Sequence, residues 1–430
     1  MTWIKQNRTK ATLITLILGL TGIMAVGVWV VLRGDDSPAA VEATMTPPIP
    51  RDLAPDAVVE TPFVSLSYGI HAFLWWNEAT RPFDLDMVRL MQFDYVKQRF
   101  AWADIEPLRD EWHWDQADAV VDEAECRGPQ VVARLDGPPD WAILPASEDV
   151  TEPPIDLDAW GDYCGAVAER YQGRIAAYQV WNEPNLDREW ANRPPNAAGY
   201  VQLLSVCSTA IRAADPDAII ISAGLAPTGT QLPDAIPDMD YLRQMYDAGA
   251  APWFDVLGLN APGYKAPPEM SPDEAEKEYG NRWMSFRHVE DMRGIMVEKG
   301  DAAKQVALLE VGWTIDPRQD TSYAWHAVSE EDQAKYLTGA YQYAAEHWRP
   351  WVGLMVTIYL ADIQWTEANE EYWWAVNRAG YPYNNDDPWE SRLSYIGLST
   401  MAKYKGDAYI PPRDPHSEEA TMVEPALECD

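Results

Sequence analysis

The chain has 430 residues, 47% of them hydrophobic, which is ample for one large core and within the range of a single barrel domain. Its 68 acidic residues against 33 basic ones give a net charge of −35. Such a chain repels polyanions, which argues against a nucleic-acid partner and favours a neutral substrate over an acidic one.

The N-terminal stretch 11–32 is 22 residues without a charge, long enough to span a bilayer as a helix. Lys5, Arg8 and Lys10 precede it, and Asp35 and Asp36 follow. The positive-inside rule then places the N-terminus in the cytoplasm and the rest outside, giving a single-pass protein of the cell membrane. A cleaved signal peptide is the competing reading, but no clear small-x-small site follows Leu32. Residues 34–62 hold six prolines among Ala, Asp, Glu and Thr and read as a spacer. Residues 411–430 are acidic and Pro-containing and are expected to be a disordered tail.

Between spacer and tail, over 63–410, short apolar runs alternate with amphipathic stretches. The runs cover 68–73, 95–101, 130–135, 176–181, 218–223, 254–259, 306–311 and 353–360. Helical spacing appears between them, in Leu85, Val88 and Met91 and again in Tyr200, Leu203, Leu204, Cys207 and Ile211. Ser329 with Asp332 signals a further helix start. Near-continuous apolar strands separated by helices predict a parallel sheet, and eight such units predict a closed (β/α)8 barrel. The segment after Phe73, Leu-Trp-Trp-Asn-Glu, is no phosphate loop, which argues against a doubly wound sheet.

The cysteines, Cys126, Cys164, Cys207 and Cys429, have no spacing that suggests zinc, and no metal or organic cofactor is expected. Cys126 and Cys164 fall on consecutive predicted helices, which leaves open a disulfide or free buried thiols. The chain has 21 Trp and 21 Tyr against 7 Phe. Trp and Tyr stack well on sugar rings, although a Trp-rich core accounts for the numbers too. Trp75, Trp76, Trp102, Trp141, Trp190, Trp313, Trp373 and Trp374 all follow predicted strands, so they are expected at the catalytic end.

In such a barrel, active-site residues sit at the C-terminal strand ends. Strand four ends in Asn182-Glu183-Pro184-Asn185, and strand seven in Glu310-Val311-Gly312-Trp313. Two facing carboxyl groups are what glycosidic cleavage needs, one to protonate the leaving oxygen and one to meet the anomeric carbon. The charge of Glu310 is expected to help keep Glu183 protonated.

Trp181-Asn182-Glu183-Pro184 and Leu309-Glu310-Val311-Gly312-Trp313 resemble the acid/base and nucleophile motifs of clan A glycoside hydrolases, nearest to families 5 and 39 (cellulase-like and β-xylosidase-like). The likeness extends through residues 94–107, Pro139-Asp140-Trp141-Ala142, Ala214-Asp215-Pro216 and residues 221–224. It implies Glu183 as acid/base, Glu310 as nucleophile, Asn182 on the sugar 2-hydroxyl, and Arg99 holding the nucleophile ionised. One departure stands out. The family usually shows a His and, two residues on, a Tyr that touches the nucleophile, where this chain has Asn260-Ala-Pro-Gly-Tyr264. Tyr264 is carried as the counterpart of that Tyr. Tyr359 and Trp365 compete for the sugar platform, Trp313 is a further candidate contact, and His71 either reaches the sugar or is a core histidine.

The expected reaction is hydrolysis of a β-linked oligo- or polysaccharide by double displacement. Two alternatives keep the barrel: a membrane-tethered transglycosylase remodelling envelope polysaccharide, and a non-catalytic glycan-binding scaffold. The two carboxylates and Asn182 argue against the scaffold.

Overall fold

The structure is a computed structural model and describes residues 53–144, 153–154, 156–321, 323–379, 391–414 and 429. The expected membrane span at 11–32, most of the spacer, and positions 415–428 of the tail lie outside the described residues. Among the described residues no helix is long and apolar enough to cross a membrane.

Eight parallel strands form the barrel: β1 (Ser67–His71), β2 (Tyr95–Ala101), β3 (Gln130–Asp136), β4 (Ile175–Val180), β5 (Ile219–Ile221), β6 (Val256–Pro262), β7 (Gln305–Gly312) and β8 (Val352–Thr357). They pair in chain order, and Ser67 opposite Leu354 closes the sheet. Each expected apolar run holds one strand, because a parallel strand covered on both faces must be apolar along its length. All six residues of β8 are buried, for example. Strand β5 is shorter than its run. Beyond Ile221 a side chain adds one rung beside the backbone bonds, with the Gly258 amide donating to Ser222 Oγ at 2.9 Å. A Cβ on Gly258 would lie 2.1 Å from the Ser222 carbonyl oxygen, so this close approach requires glycine.

One main helix follows each strand: α1 (Arg81–Leu90), α2 (Asp115–Arg127), α3 (Leu157–Arg170), α4 (Ala197–Ala214), α5 (Asp238–Asp247), α6 (Val289–Glu298), α7 (Glu330–His347) and α8 (Leu393–Thr400). In α4 the stripe Tyr200, Leu203, Leu204, Cys207 and Ile211 is buried, and the Asn196 side chain caps the start by accepting from the Gly199 amide. Ser329 caps α7 by accepting from the Asp332 amide. Outer strand faces and helices make one core, while Phe63, Val132, Ala177, Ile221, Val256 and Leu354 pack inside the barrel.

The expected domain edges shift outward at both ends. Among the described residues contacts reach back to Leu53, inside the expected spacer, where its carbonyl accepts from buried Arg293 at 3.0 Å. At the other end an antiparallel hairpin, β9 (Lys403–Lys405) and β10 (Ala408–Ile410), follows α8. Cys429, placed in a free tail by the sequence reading, is bonded to Cys126 of α2. Cys164 of α3 bonds to Cys207 of α4. Cys126 and Cys164 are thus both in disulfides, though not with each other.

Candidate active site

Strand β4 ends at Val180, and the chain then turns sharply. Trp181 and Glu183 both take left-handed backbone, with φ of 71° and 43°, a conformation that costs a residue with a side chain on the order of 1–3 kcal/mol. Neighbouring strands hold the turn. The Trp181 amide donates to the Leu135 carbonyl and the Glu183 amide to that of Gly224, both at 2.9 Å. Gln179 Nε2 donates to the Trp181 carbonyl at 2.8 Å and to Asn182 Oδ1 at 3.1 Å. With its oxygen held, Asn182 keeps its amide nitrogen for a ligand in the cleft it lines. Asn185 ties this loop to the next by donating to the carbonyls of Ala226 and Ile236.

Glu310 projects from β7 into the same space. Lys97 of β2, fully buried, donates to the Leu309 carbonyl at 3.1 Å and lies 3.4 Å from Glu310 Oε1. Asn260 of β6 joins the two acids: its Nδ2 donates to Glu183 Oε1 at 2.9 Å and to Glu310 Oε2 at 3.1 Å. A Cβ on Gly224 would fall 2.2 Å from Asn260 Oδ1, so glycine there makes room for this amide. Arg188, from the short 3-10 segment Asp187–Trp190, donates to the other Glu183 oxygen, Oε2.

Burial raises the Glu310 carboxyl above its ordinary pKa; the Lys97 and Arg134 cations oppose this, and Glu183 adds to it. Burial also brings Lys97 down to about 8, against the pull of Glu310. His71 is held well below its usual value by burial and by the Lys97, Arg134 and Arg99 cations, which makes it a neutral imidazole at pH 7.

A cleft of about 700 Å³ opens over these groups, lined by Glu183, Glu310, Asn182, Arg99, Tyr264, His71 and Trp365 among others. His71 stacks on Phe73 with centroids 4.9 Å apart, and Tyr359 and Trp365 complete that wall. Both candidates for the platform are therefore present. Tyr264 reaches the cleft, but its hydroxyl donates to the Pro227 carbonyl at 2.8 Å and its ring stacks on Trp325, so it does not bond Glu310.

Two expected roles need correction. Arg99 pairs with Asp136 at 2.5 Å, and Lys97 two residues earlier takes the place beside Glu310. Trp313 is fully buried, its Nε1 donating to the Ala266 carbonyl. It packs where a Cβ on Gly263 would lie 1.9 Å from its ring, so it supports the β6 loop from below. Among the eight tryptophans expected at the mouth, Trp75, Trp76 and Trp374 line the cleft. The sequence reading missed Lys97, Arg188 and Gln179 and saw Asn260 only as a departure. A lysine within a strand's apolar run was the available signal.

Neither a protein-family model nor a curated protein matches the sequence. Solved structures do match. A family 39 glycoside hydrolase from Bacteroides cellulosilyticus is 15% identical with a TM-score of 0.51, the match covering 80% of this chain and 64% of that one. A family 10 endoxylanase retrieved from a sugarcane soil metagenome is 17% identical with a TM-score of 0.51, covering 81% and 99%. A family 5 glycoside hydrolase from Streptomyces cattleya, solved with Manβ1-4GlcNAc, is 15% identical with a TM-score of 0.55, covering 78% and 79%. At such identities the likeness establishes the fold: this chain is a (β/α)8 barrel whose structural neighbours are glycoside hydrolases of families 39, 10 and 5.

Proposed function

We propose that the protein is a retaining glycosidase that cleaves a β-linked glycan, with Glu310 as nucleophile and Glu183 as acid/base. The observation that carries this reading is the Asn260 amide nitrogen, 2.9 Å from one carboxyl oxygen and 3.1 Å from the other. Two oxygens bonded to one nitrogen are no further apart than those bonds laid end to end. That limit on the facing oxygens is compatible with the ~5–5.5 Å of a double-displacement pair. The glycoside hydrolases among the structural neighbours support the same reaction class.

In the first step Glu310 attacks the anomeric carbon while Glu183 gives its proton to the glycosidic oxygen. The bond to the leaving sugar breaks as the bond to Glu310 forms. In the second step Glu183, now a carboxylate, takes a proton from water, and the water oxygen displaces Glu310. Asn182 meets the 2-hydroxyl, and the Phe73, Tyr359 and Trp365 wall supplies apolar ring faces. An extracytoplasmic location, tethered through 11–32, is part of the proposal. Two disulfides suit an oxidising compartment.

Variants with an activated aryl β-glycoside test the two roles. Glu310→Ala is expected to lose turnover by several orders of magnitude, since no nucleophile remains. Glu183→Ala is expected to release a burst of phenol and then stall, because an activated phenol leaves without an acid while water still needs a base. Azide should restore its rate and yield a β-glycosyl azide. Equal loss in both variants without azide rescue would overturn the assignment.

A further inference from the structure

The proposed chemistry needs a proton on Glu183, yet both of its oxygens act as acceptors. Oε1 takes the Asn260 amide, which is also bonded to Glu310 on the inner side. Oε2 takes Arg188. A guanidinium only donates, so an oxygen under it cannot hand a proton to a leaving group. With Oε1 turned to the shared amide, Oε2 is the atom left to serve the glycosidic oxygen, and Arg188 covers it. Arg188 must leave before cleavage.

Where it goes is constrained. The Arg188 side chain is 54% exposed and that of Glu183 11%, so the guanidinium approaches from the open side of the cleft. Glu189 lies 3.7 Å from it, and Tyr323 and Glu370 face the same space. Burial raises Glu189 to about 7, which makes it a weak replacement for a full carboxylate. A neutral sugar would exchange an ion pair for hydroxyl contacts. A carboxylate or sulfate on the departing sugar would replace the charge-assisted bond to Glu183 with a charge-assisted contact of the same kind.

We propose that Arg188 is the receptor for an anionic substituent on the leaving-group sugar, and that binding there uncovers Glu183 Oε2 for proton donation. The inference rests on the glycosidase reading and narrows its substrate to an acidic glycan, against the expectation from net charge.

The test compares aryl β-glycosides whose leaving phenol carries either a carboxylate or the neutral carboxamide, across glucoside, xyloside, mannoside and galactoside series. The full chain is expected to favour the carboxylate about tenfold in kcat/KM. Arg188→Gln should abolish that preference, and Arg188→Lys should keep part of it. Equal rates on the two leaving groups, or a preference that survives in Arg188→Gln, would overturn the proposal. Hydrolysis of a dinitrophenyl glycoside by the unaltered chain needs no acid and reports on the glycosidase reading separately. Should no glycoside be cleaved, calorimetry with glucuronate, glucose 6-sulfate and glucose still decides. Selective, Arg188-dependent binding of an anion supports the receptor and identifies carboxylate or sulfate as its ligand, and its absence overturns the receptor.

Discussion

Lys97 is the residue on which the ionisation of Glu310 turns. Burial pushes the Glu310 carboxyl up, and the Lys97 cation, 3.4 Å away, is the largest influence opposing it. In its proposed role as nucleophile Glu310 must be ionised, so kcat/KM is expected to fall as pH drops through its pKa. Lys97→Met, which fills a similar volume without charge, removes a lowering influence. The acidic limb of the pH–rate profile should then move to higher pH, with a reduced maximum. An unmoved limb in a folded variant would show that Glu310 is held ionised by something else. The two glutamates were legible because acids that end apolar runs are conspicuous. Lys97 was not, for a geometric reason. Residues 97 and 99 share a face of β2, and which of them meets Glu310 depends on the depth of each layer in the barrel, which follows from strand stagger rather than from sequence spacing. Asn260 illustrates a second limit. Its replacement of the usual His was visible, but a bond to two acids at once exists only after β4, β6 and β7 converge.

At the scale of elements, the strands were legible because burial on both faces imposes apolar runs, whereas the ties between helices depend on pairs far apart in sequence. His288 is one such tie. It lies just before α6, 2.9 Å from Asp238 at the start of α5 and 3.1 Å from Asp291 in the first turn of α6. Burial alone would lower its pKa, but the two carboxylates outweigh burial and raise it to about 10. A folded-state pKa above the unfolded value of about 6.5 means stability that is complete below pH 6.5 and is lost as pH climbs towards 10. The melting midpoint should therefore fall over that interval. His288→Gln should be less stable at pH 6, on the order of a few kcal/mol, and should lose most of the slope between pH 7 and 10. A parallel slope in the variant would assign the pH dependence elsewhere. The Cys164–Cys207 bond ties α3 to α4 across 43 residues, a loop whose closure is worth about 4 kcal/mol. Replacing both cysteines with alanine should lower the melting midpoint by several degrees, and an unchanged midpoint would mean that helix packing alone holds the pair.

At the scale of the whole molecule, the expected boundary at 63 followed a segment read as a spacer from its six prolines and lack of apolar period. The chain makes use of a segment before it. Leu53 and Val58 pack against the outer core, and the amides of Val59 and Glu60 both donate to the Ala303 carbonyl at 3.1 Å. Pro-rich composition hid this, because three of the ties run through backbone atoms and carry no side-chain signature. Phe63 then plugs the interior, its backbone exchanging two hydrogen bonds with the buried Gln305 side chain. Two truncations separate the spacer from the working part of the segment. Removing residues 1–52 deletes none of these contacts and should leave a soluble barrel with the activity of the full chain. Removing residues 1–62 deletes the Leu53 carbonyl that satisfies Arg293 Nε at 3.0 Å, and a buried donor left without its acceptor costs about 1–3 kcal/mol. Loss of Leu53 and Val58 packing adds to that. The shorter chain should melt several degrees below the longer one, while the mouth, at the opposite strand ends, keeps its kcat at temperatures where both are folded. Equal melting would show that the segment merely lies on the barrel, and equal melting with lost activity would show that it reaches the chemistry by a route other than stability.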